Sequence, residues 1–60
     1  MHIIIPYGDR KGRRYPAHLV PSPILKWLAE NAYNDRISTA CDKEWQFRER
    51  YNEHKYDWED

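Results

Sequence analysis

The 60-residue sequence has few of the residues that form the cross-links of small proteins, since it contains a single cysteine. Its one cysteine, Cys41, cannot form a disulfide within the chain, and it excludes a four-cysteine zinc framework. No apolar run approaches the roughly 18 residues of a membrane-spanning helix, which predicts that the chain has no membrane partner. Without a disulfide framework or a leader-like apolar segment, we expect a cytoplasmic location.

The sequence also lacks net charge, since 10 Lys and Arg residues balance 10 Asp and Glu residues. This balance argues against a polybasic tail and against an acidic mimic of DNA. The charges are nevertheless segregated along the chain. Residues 1–16 carry four basic residues and one acidic residue, whereas residues 51–60 carry one basic residue and four acidic residues. The chain is therefore either self-neutralising or strongly polar, depending on how its ends are placed.

The first segment has the pattern of a β-hairpin. A β-branched run at 2–5 predicts a strand, and Arg13–Tyr15 can return as its partner. The two glycines of the chain, Gly8 and Gly12, bracket the connecting turn. The hairpin is expected over about residues 2–16, with a basic loop.

Two helices are predicted after the hairpin. Ser22 is a favourable N-cap and Pro23 suits the first helical position, so that the first helix should span about residues 23–32. The second should run over about 37–54, with Asp35 as a candidate cap. The chain is thus expected to be a single α+β domain, a ββαα unit whose N-terminal β-hairpin packs on two helices. An acidic, aromatic tail follows at residues 55–60.

The second helix is amphipathic, with one exception to its pattern. Its apolar side chains cover an arc of roughly 160° at 100° per residue; they are Ile37, Ala40, Cys41, Trp45, Phe47 and Tyr51. Glu44 and Arg48 fall near the middle of that arc, spaced i,i+4. We interpret them as a half-buried ion pair that ties the helix to the hairpin and satisfies a backbone group there. The alternative is that Arg48 reaches a ligand shared with the basic loop.

Two short motifs resemble a known family. The turn Pro6-Tyr7-Gly8-Asp9-Arg10-Lys11-Gly12 is similar to the aromatic-Gly-Lys-x-Lys-Gly turn of short bacterial and phage proteins named as quorum-sensing-regulated virulence factors. The same turn opens a C-terminal module of exodeoxyribonuclease X-like proteins. The segment Val20-Pro21-Ser22-Pro23-Ile24-Leu25-Lys26-Trp27-Leu28 has the spacing of the helix that follows in that family, with Ile24 where Tyr is usual. The resemblance covers roughly residues 3–30 and implies proximity to nucleic acid.

The basic hairpin loop is the first candidate site. Its cations can contact phosphate, and nearby aromatic rings can stack on unpaired bases. The predicted nucleic-acid-binding residues are Arg10, Lys11, Arg13, Arg14, Tyr15 and Trp27. The alternative is a solvated hairpin whose charges protect a sheet edge from aggregation. The leading functional prediction is a non-enzymatic accessory module that binds DNA or RNA.

The tail is the second candidate site. Tyr56 and Trp58 lie among acidic residues and could anchor a protein partner. Alternatively, Trp58 folds back on the hairpin and the acidic residues neutralise the charge of the basic loop. A partner-binding tail would make the chain a small protein-interaction module or an inhibitor of a larger host or phage enzyme. A homodimer is a further expectation, because the aromatic content is high for two short helices.

No pattern in the sequence predicts an enzyme, a metal site or a cofactor. The candidate metal ligands match no known spacing; they are His2, His18, Cys41 and His54. Cys41 lies on the apolar face of the second helix and is expected to be a small buried hydrophobe. No Ser/His/Asp set or paired-carboxylate motif stands out.

Overall fold

A computed structural model describes residues 2–32 and 34–58. It contains an antiparallel pair of strands, β1 (His2–Ile4) and β2 (Arg14–Pro16), one turn of 3₁₀ helix at Ala17–Leu19, and two helices, α1 (Ser22–Asn31) and α2 (Asp35–Tyr51). The predicted ββαα fold is therefore confirmed. In the described part of the chain, neither helix combines the length and the apolar character that crossing a bilayer requires.

The two strands form a short hairpin with one buried face. Ile3 lies opposite Tyr15, and Ile4 lies opposite Arg14. Because side chains alternate along a strand, the Ile3 pair faces the interior and the Ile4 pair faces outward. Ile3 is fully buried, while Ile4 is 40% exposed. A further bond from the Ile5 N–H to the Arg13 carbonyl, 2.9 Å, extends the hairpin toward its loop.

The loop needs its two glycines for their backbone angles. Gly8 and Gly12 have φ of +90° and +86°, a region that residues with a Cβ avoid. A Cβ added at either position would meet nothing within 4 Å, so the requirement is conformational rather than steric crowding. Backbone hydrogen bonds close the loop, among them those from the Lys11 N–H to the Gly8 carbonyl at 3.2 Å and from the Gly12 N–H to the Ile5 carbonyl at 2.9 Å.

The start of α1 differs from the prediction that Ser22 caps it. Pro21 is the N-cap, and its carbonyl accepts the first bonds from Ile24 and Leu25, both at 3.1 Å. Ser22 belongs to the helix and is buried, with only 3% of its surface exposed. Its hydroxyl is bonded to other parts of the fold instead of to the helix N-terminus.

The bounds of α2 are also shifted from the predicted 37–54. Asn34, rather than Asp35, caps the helix, because its Oδ1 accepts from the Arg36 N–H at 2.8 Å. The helix ends at Tyr51 because Asn52 adopts a left-handed conformation with φ of 55°. Asparagine tolerates this conformation and commonly ends helices in this way.

The core lies where α1 packs on α2 and on the inner face of the hairpin. Its buried members are Ile3, Ile5, Val20, Ile24, Leu25, Leu28 and Cys41. The apolar arc predicted for α2 is only partly covered. Phe47 and Tyr51 remain 49% and 55% exposed, because the hairpin and one neighbouring helix cannot enclose the whole arc.

Candidate nucleic-acid interface

The basic hairpin loop presents three of its four cations to solvent. Lys11, Arg13 and Arg14 are exposed, while Arg10 is half-buried. Lys11 and Arg13 lie in the loop, and Arg14 begins β2 on the outward face of the hairpin beside Ile4. These three exposed side chains give the hairpin a basic surface.

Two of the predicted site residues are engaged by the tail. Trp58 packs on Tyr15, with ring centroids 4.7 Å apart. The Arg10 guanidinium lies 4.5 Å from the centroid of Trp58, and its Nη1 donates to the Tyr15 hydroxyl at 3.2 Å. The tail therefore folds back on the hairpin, which was one of the two alternatives. The candidate surface narrows to residues outside this Arg10–Tyr15–Trp58 cluster.

The tail is also held by its backbone. The Ser22 N–H donates to the Lys55 carbonyl at 2.6 Å, and the Lys55 N–H donates to the Ser22 hydroxyl at 3.2 Å. The Lys55 ammonium donates to the His18 carbonyl at 3.1 Å. The last two residues of the predicted tail, 59–60, lie outside the described residues. Up to Trp58, the tail is an integral part of the fold.

Trp27 remains available beside the basic loop. It contacts Tyr7 edge-to-face, with centroids 5.7 Å apart and ring planes at 72°. Both rings are exposed, Trp27 at 42% and Tyr7 at 43%. Tyr7 directly precedes Gly8, so that this aromatic pair adjoins the loop that carries Lys11 and Arg13.

Three backbone donors of the loop are used within the hairpin. The N–H groups of Lys11, Gly12 and Arg13 donate to the carbonyls of Gly8, Ile5 and Arg10 respectively. Donors used in this way cannot also bind phosphate, so the exposed side chains are the candidate contacts of this loop.

Arg48 lies at the centre of the interior and is 1% exposed. Its Nε donates to Glu44 at 3.1 Å, in an ion pair. Its Nη2 donates to the carbonyls of Ala17 and His18, at 3.1 and 3.2 Å. This geometry agrees with the interpretation of Arg48 as a structural residue that satisfies backbone groups next to the hairpin. It does not point toward the basic loop as a ligand-binding group.

A hydrogen-bond network continues from Arg48 through Ser22 to His54 and Glu49. Arg48 Nη1 lies 3.1 Å from the Ser22 hydroxyl, which lies 2.9 Å from His54 Nδ1. His54 Nε2 lies 2.7 Å from a Glu49 carboxylate oxygen. The connectivity is that of a serine–histidine–acid triad, and it borders an open cleft of about 430 Å³. No spacing in the sequence predicted it, since Ser22 and His54 are 32 residues apart.

Counting donors and acceptors assigns the protons of Ser22 and His54 in this hydrogen-bond network. The Ser22 oxygen has two lone pairs, which accept from Arg48 and from the Lys55 N–H. Its own proton must then go to His54 Nδ1, so His54 carries its proton on Nε2 and donates to Glu49. A serine attacks through a free lone pair, and here both are used in a residue 3% exposed. The hydrogen-bond network therefore anchors the tail to α1 and α2. That the protein is not an enzyme stays a prediction.

In the described part of the chain, the remaining candidate metal ligands and nucleophiles form no cluster. Cys41 is fully buried, and desolvation raises the pKa of its thiol to about 11, so the nucleophilic thiolate is disfavoured. Within residues 2–32 and 34–58, no three His, Cys, Asp or Glu side chains come together as metal ligands. His2, His18 and His54 thus remain apart from any such group.

Two further aromatic features lie outside the loop. Tyr56 is 75% exposed, which leaves it accessible to a partner. On α2, the exposed rings of Phe47 and Tyr51 pack together with centroids 4.8 Å apart, and the Arg50 guanidinium lies 5.6 Å from the Tyr51 ring. Lys43 lines the shallow hollow beside this pair. Sequence periodicity placed Phe47 and Tyr51 toward the core, and their exposure identifies a second candidate contact surface.

Comparisons with protein-family models, curated proteins and solved structures gave no match to this chain. The resemblance carried by the glycine-bracketed turn and the first helix therefore stays a prediction. The functional argument depends on the geometry of the described residues.

Proposed function

We propose that the protein is a non-enzymatic module that binds single-stranded nucleic acid through its basic hairpin. The observation that carries this proposal is the juxtaposition of three exposed cations with an exposed aromatic pair. Lys11, Arg13 and Arg14 supply positive charge, and Tyr7 and Trp27 supply ring surface. Basic side chains beside aromatic rings are the common means of binding unpaired strands.

The number of cations sets the expected strength of binding. Neutralising three phosphates on a single strand predicts a slope of about −2 in a plot of log affinity against log salt concentration. Such binding is weak at physiological salt, where non-specific dissociation constants are about 10⁻⁴ to 10⁻⁶ M. The proposed role is therefore accessory: the module adds local affinity to a larger assembly on nucleic acid.

Fluorescence anisotropy with labelled oligothymidylate over a salt series tests the proposal. The double variant Arg13→Ala/Arg14→Ala should reduce the salt slope from about −2 to about −0.7, since one cation remains. The control Lys43→Ala/Arg50→Ala removes the same net charge from α2. If the two double variants lose the same affinity, the charge effect is diffuse and not specific to the hairpin. The proposal is refuted if the wild-type protein does not bind the oligonucleotide at low salt.

A second candidate function is protein binding through the outer face of α2. The exposed Phe47–Tyr51 pair, flanked by Lys43 and Arg50, favours a partner with apolar and acidic groups. A second copy of the chain is one such partner. Sedimentation velocity over a concentration series tests it, with Phe47→Ser/Tyr51→Ser as the dissociating variant. A monomer at every concentration would exclude self-association through this face.

A further inference from the structure

A small groove opens beside Trp27, between the outer face of the hairpin and the two helices. It holds about 180 Å³ and is lined by Ile4 and Pro6 from the hairpin, Trp27 and Asn31 from α1, and Ile37 from α2. The groove is open to solvent, since Ile4 is 40% exposed and Trp27 is 42% exposed. Its volume is below the about 300–1,000 Å³ of sites for drug-sized ligands, so it suits a single flat ring system.

The polar chemistry of the groove is sparse and placed at one side. Among the described lining residues, Asn31 contributes the one side-chain amide. Its Nδ2 donates to the Trp27 carbonyl at 3.0 Å, which orients the amide and leaves Oδ1 as an acceptor. An apolar slot with one amide acceptor matches a nucleobase, which has flat apolar faces and N–H donors along its edge.

The charge around the groove also fits a nucleotide. None of its described lining residues is charged. Arg14 lies directly opposite Ile4 in the hairpin register, and opposed residues project from the same face of the strand pair. The exposed Arg14 side chain therefore starts beside Ile4, an apolar wall of the groove, and Lys11 and Arg13 continue the basic surface. An apolar slot with a cation on its rim complements a base attached to its phosphate.

We propose that this groove receives one unpaired base of a single strand, while Arg14 contacts the adjoining phosphate. The inference rests on the proposed function and names the part of the ligand that the site holds. The base packs against Trp27 and Ile4, and its edge donates to Asn31. Duplex DNA, whose bases are stacked and paired, does not fit the slot.

The test compares oligothymidylate with an abasic oligonucleotide of the same length and charge, by anisotropy at low salt. We expect the wild-type protein to bind the base-containing strand about tenfold more tightly. Trp27→Leu, which keeps apolar bulk but removes the ring, should bring that ratio close to one. The control Tyr56→Leu removes an exposed ring elsewhere and should leave the ratio unchanged.

The outcomes separate the two proposals. Equal, salt-dependent affinity for both oligonucleotides in the wild-type protein overturns the base site but leaves the proposed function standing; the groove would then suit an apolar side chain of a protein. A wild-type preference that survives Trp27→Leu also overturns the base site. No binding of either oligonucleotide overturns both proposals. Equal affinity for the two oligonucleotides is measured on the wild-type protein, so this outcome overturns the base site even if Trp27→Leu fails to fold.

Discussion

Replacing Arg48 by methionine should strongly destabilise the protein, although methionine is apolar and the position is buried. Arg48 is 1% exposed and donates to Glu44, to Ser22 and to two backbone carbonyls. Methionine removes every one of these donors. It leaves the Glu44 carboxylate without its partner, whereas the Ala17 and His18 carbonyls keep their bonds from the Val20 N–H and the Lys55 ammonium.

The size of the effect follows from the surroundings of those acceptors. Removing one partner of a buried ion pair costs about 3–5 kcal/mol. The Glu44 side chain is 22% exposed, so water partly solvates its carboxylate and the lower end of that range applies. We therefore expect a loss of about 3 kcal/mol in the free energy of unfolding. The whole stability expected for a chain of this length is only about 3–9 kcal/mol.

Urea unfolding followed by circular dichroism measures this loss, because α2 supplies much of the helical signal. Arg50→Met is the matched control, with the same chemical change at an exposed position two residues away. It should change the free energy of unfolding by no more than about 0.5 kcal/mol. Equal unfolding midpoints and slopes for the two variants would refute the structural role of the guanidinium.

A second variant separates the stranded charge from the lost packing. Glu44→Gln removes the carboxylate that Arg48→Met leaves unpaired. If the ion pair contributes as inferred, the double variant should be more stable than the sum of the two single effects predicts, by about 0.5–3 kcal/mol. Strict additivity would show that Glu44 and Arg48 do not stabilise one another.

Three further predictions concern other parts of the fold. Gly12→Ala should cost about 1–2 kcal/mol in urea unfolding because of its positive φ, whereas Arg13→Ala in the same loop should cost almost nothing; equal costs would contradict the conformational argument. Trp58→Ala should cost about 2 kcal/mol, because the half-buried ring packs on Tyr15, whereas the exposed Tyr56→Ala should be near neutral; a neutral Trp58→Ala would argue against a docked tail. Burial raises the pKa of Cys41 from 9.0 to about 11, so the unfolded chain loses the thiol proton first and stability should fall as pH rises through this window. That fall should be shallower in Cys41→Ala, and parallel stability curves for the two proteins would contradict it.

The candidate interface was only partly predictable from the sequence. The cluster of cations near two glycines identified the basic loop, because all of those residues are close in the chain. The sequence could not show that Trp58 packs on Tyr15 and lies under Arg10, because these residues are far apart along the chain. The groove beside Trp27 was likewise not predictable, because its walls come from β1, α1 and α2.

The sequence by itself determined the local elements of this protein. The β-branched run and paired glycines specify the hairpin, and the apolar periodicity of 3.6 residues specifies the helices, because these preferences act over neighbouring residues. It also placed Arg48 in the apolar arc of α2, which was the correct sign of an unusual buried cation.

Only the tertiary structure decided which side chains of the apolar arc of α2 are buried and which are exposed. Arg48 is buried because Ser22 and two carbonyls about 30 residues away supply its acceptors, whereas Phe47 is exposed because no element among the described residues covers its side of α2. The position of the tail was decided in the same way. Trp58 packs on Tyr15 and under Arg10, a contact between distant parts of the chain, while Lys11, Arg13 and Arg14 stay exposed.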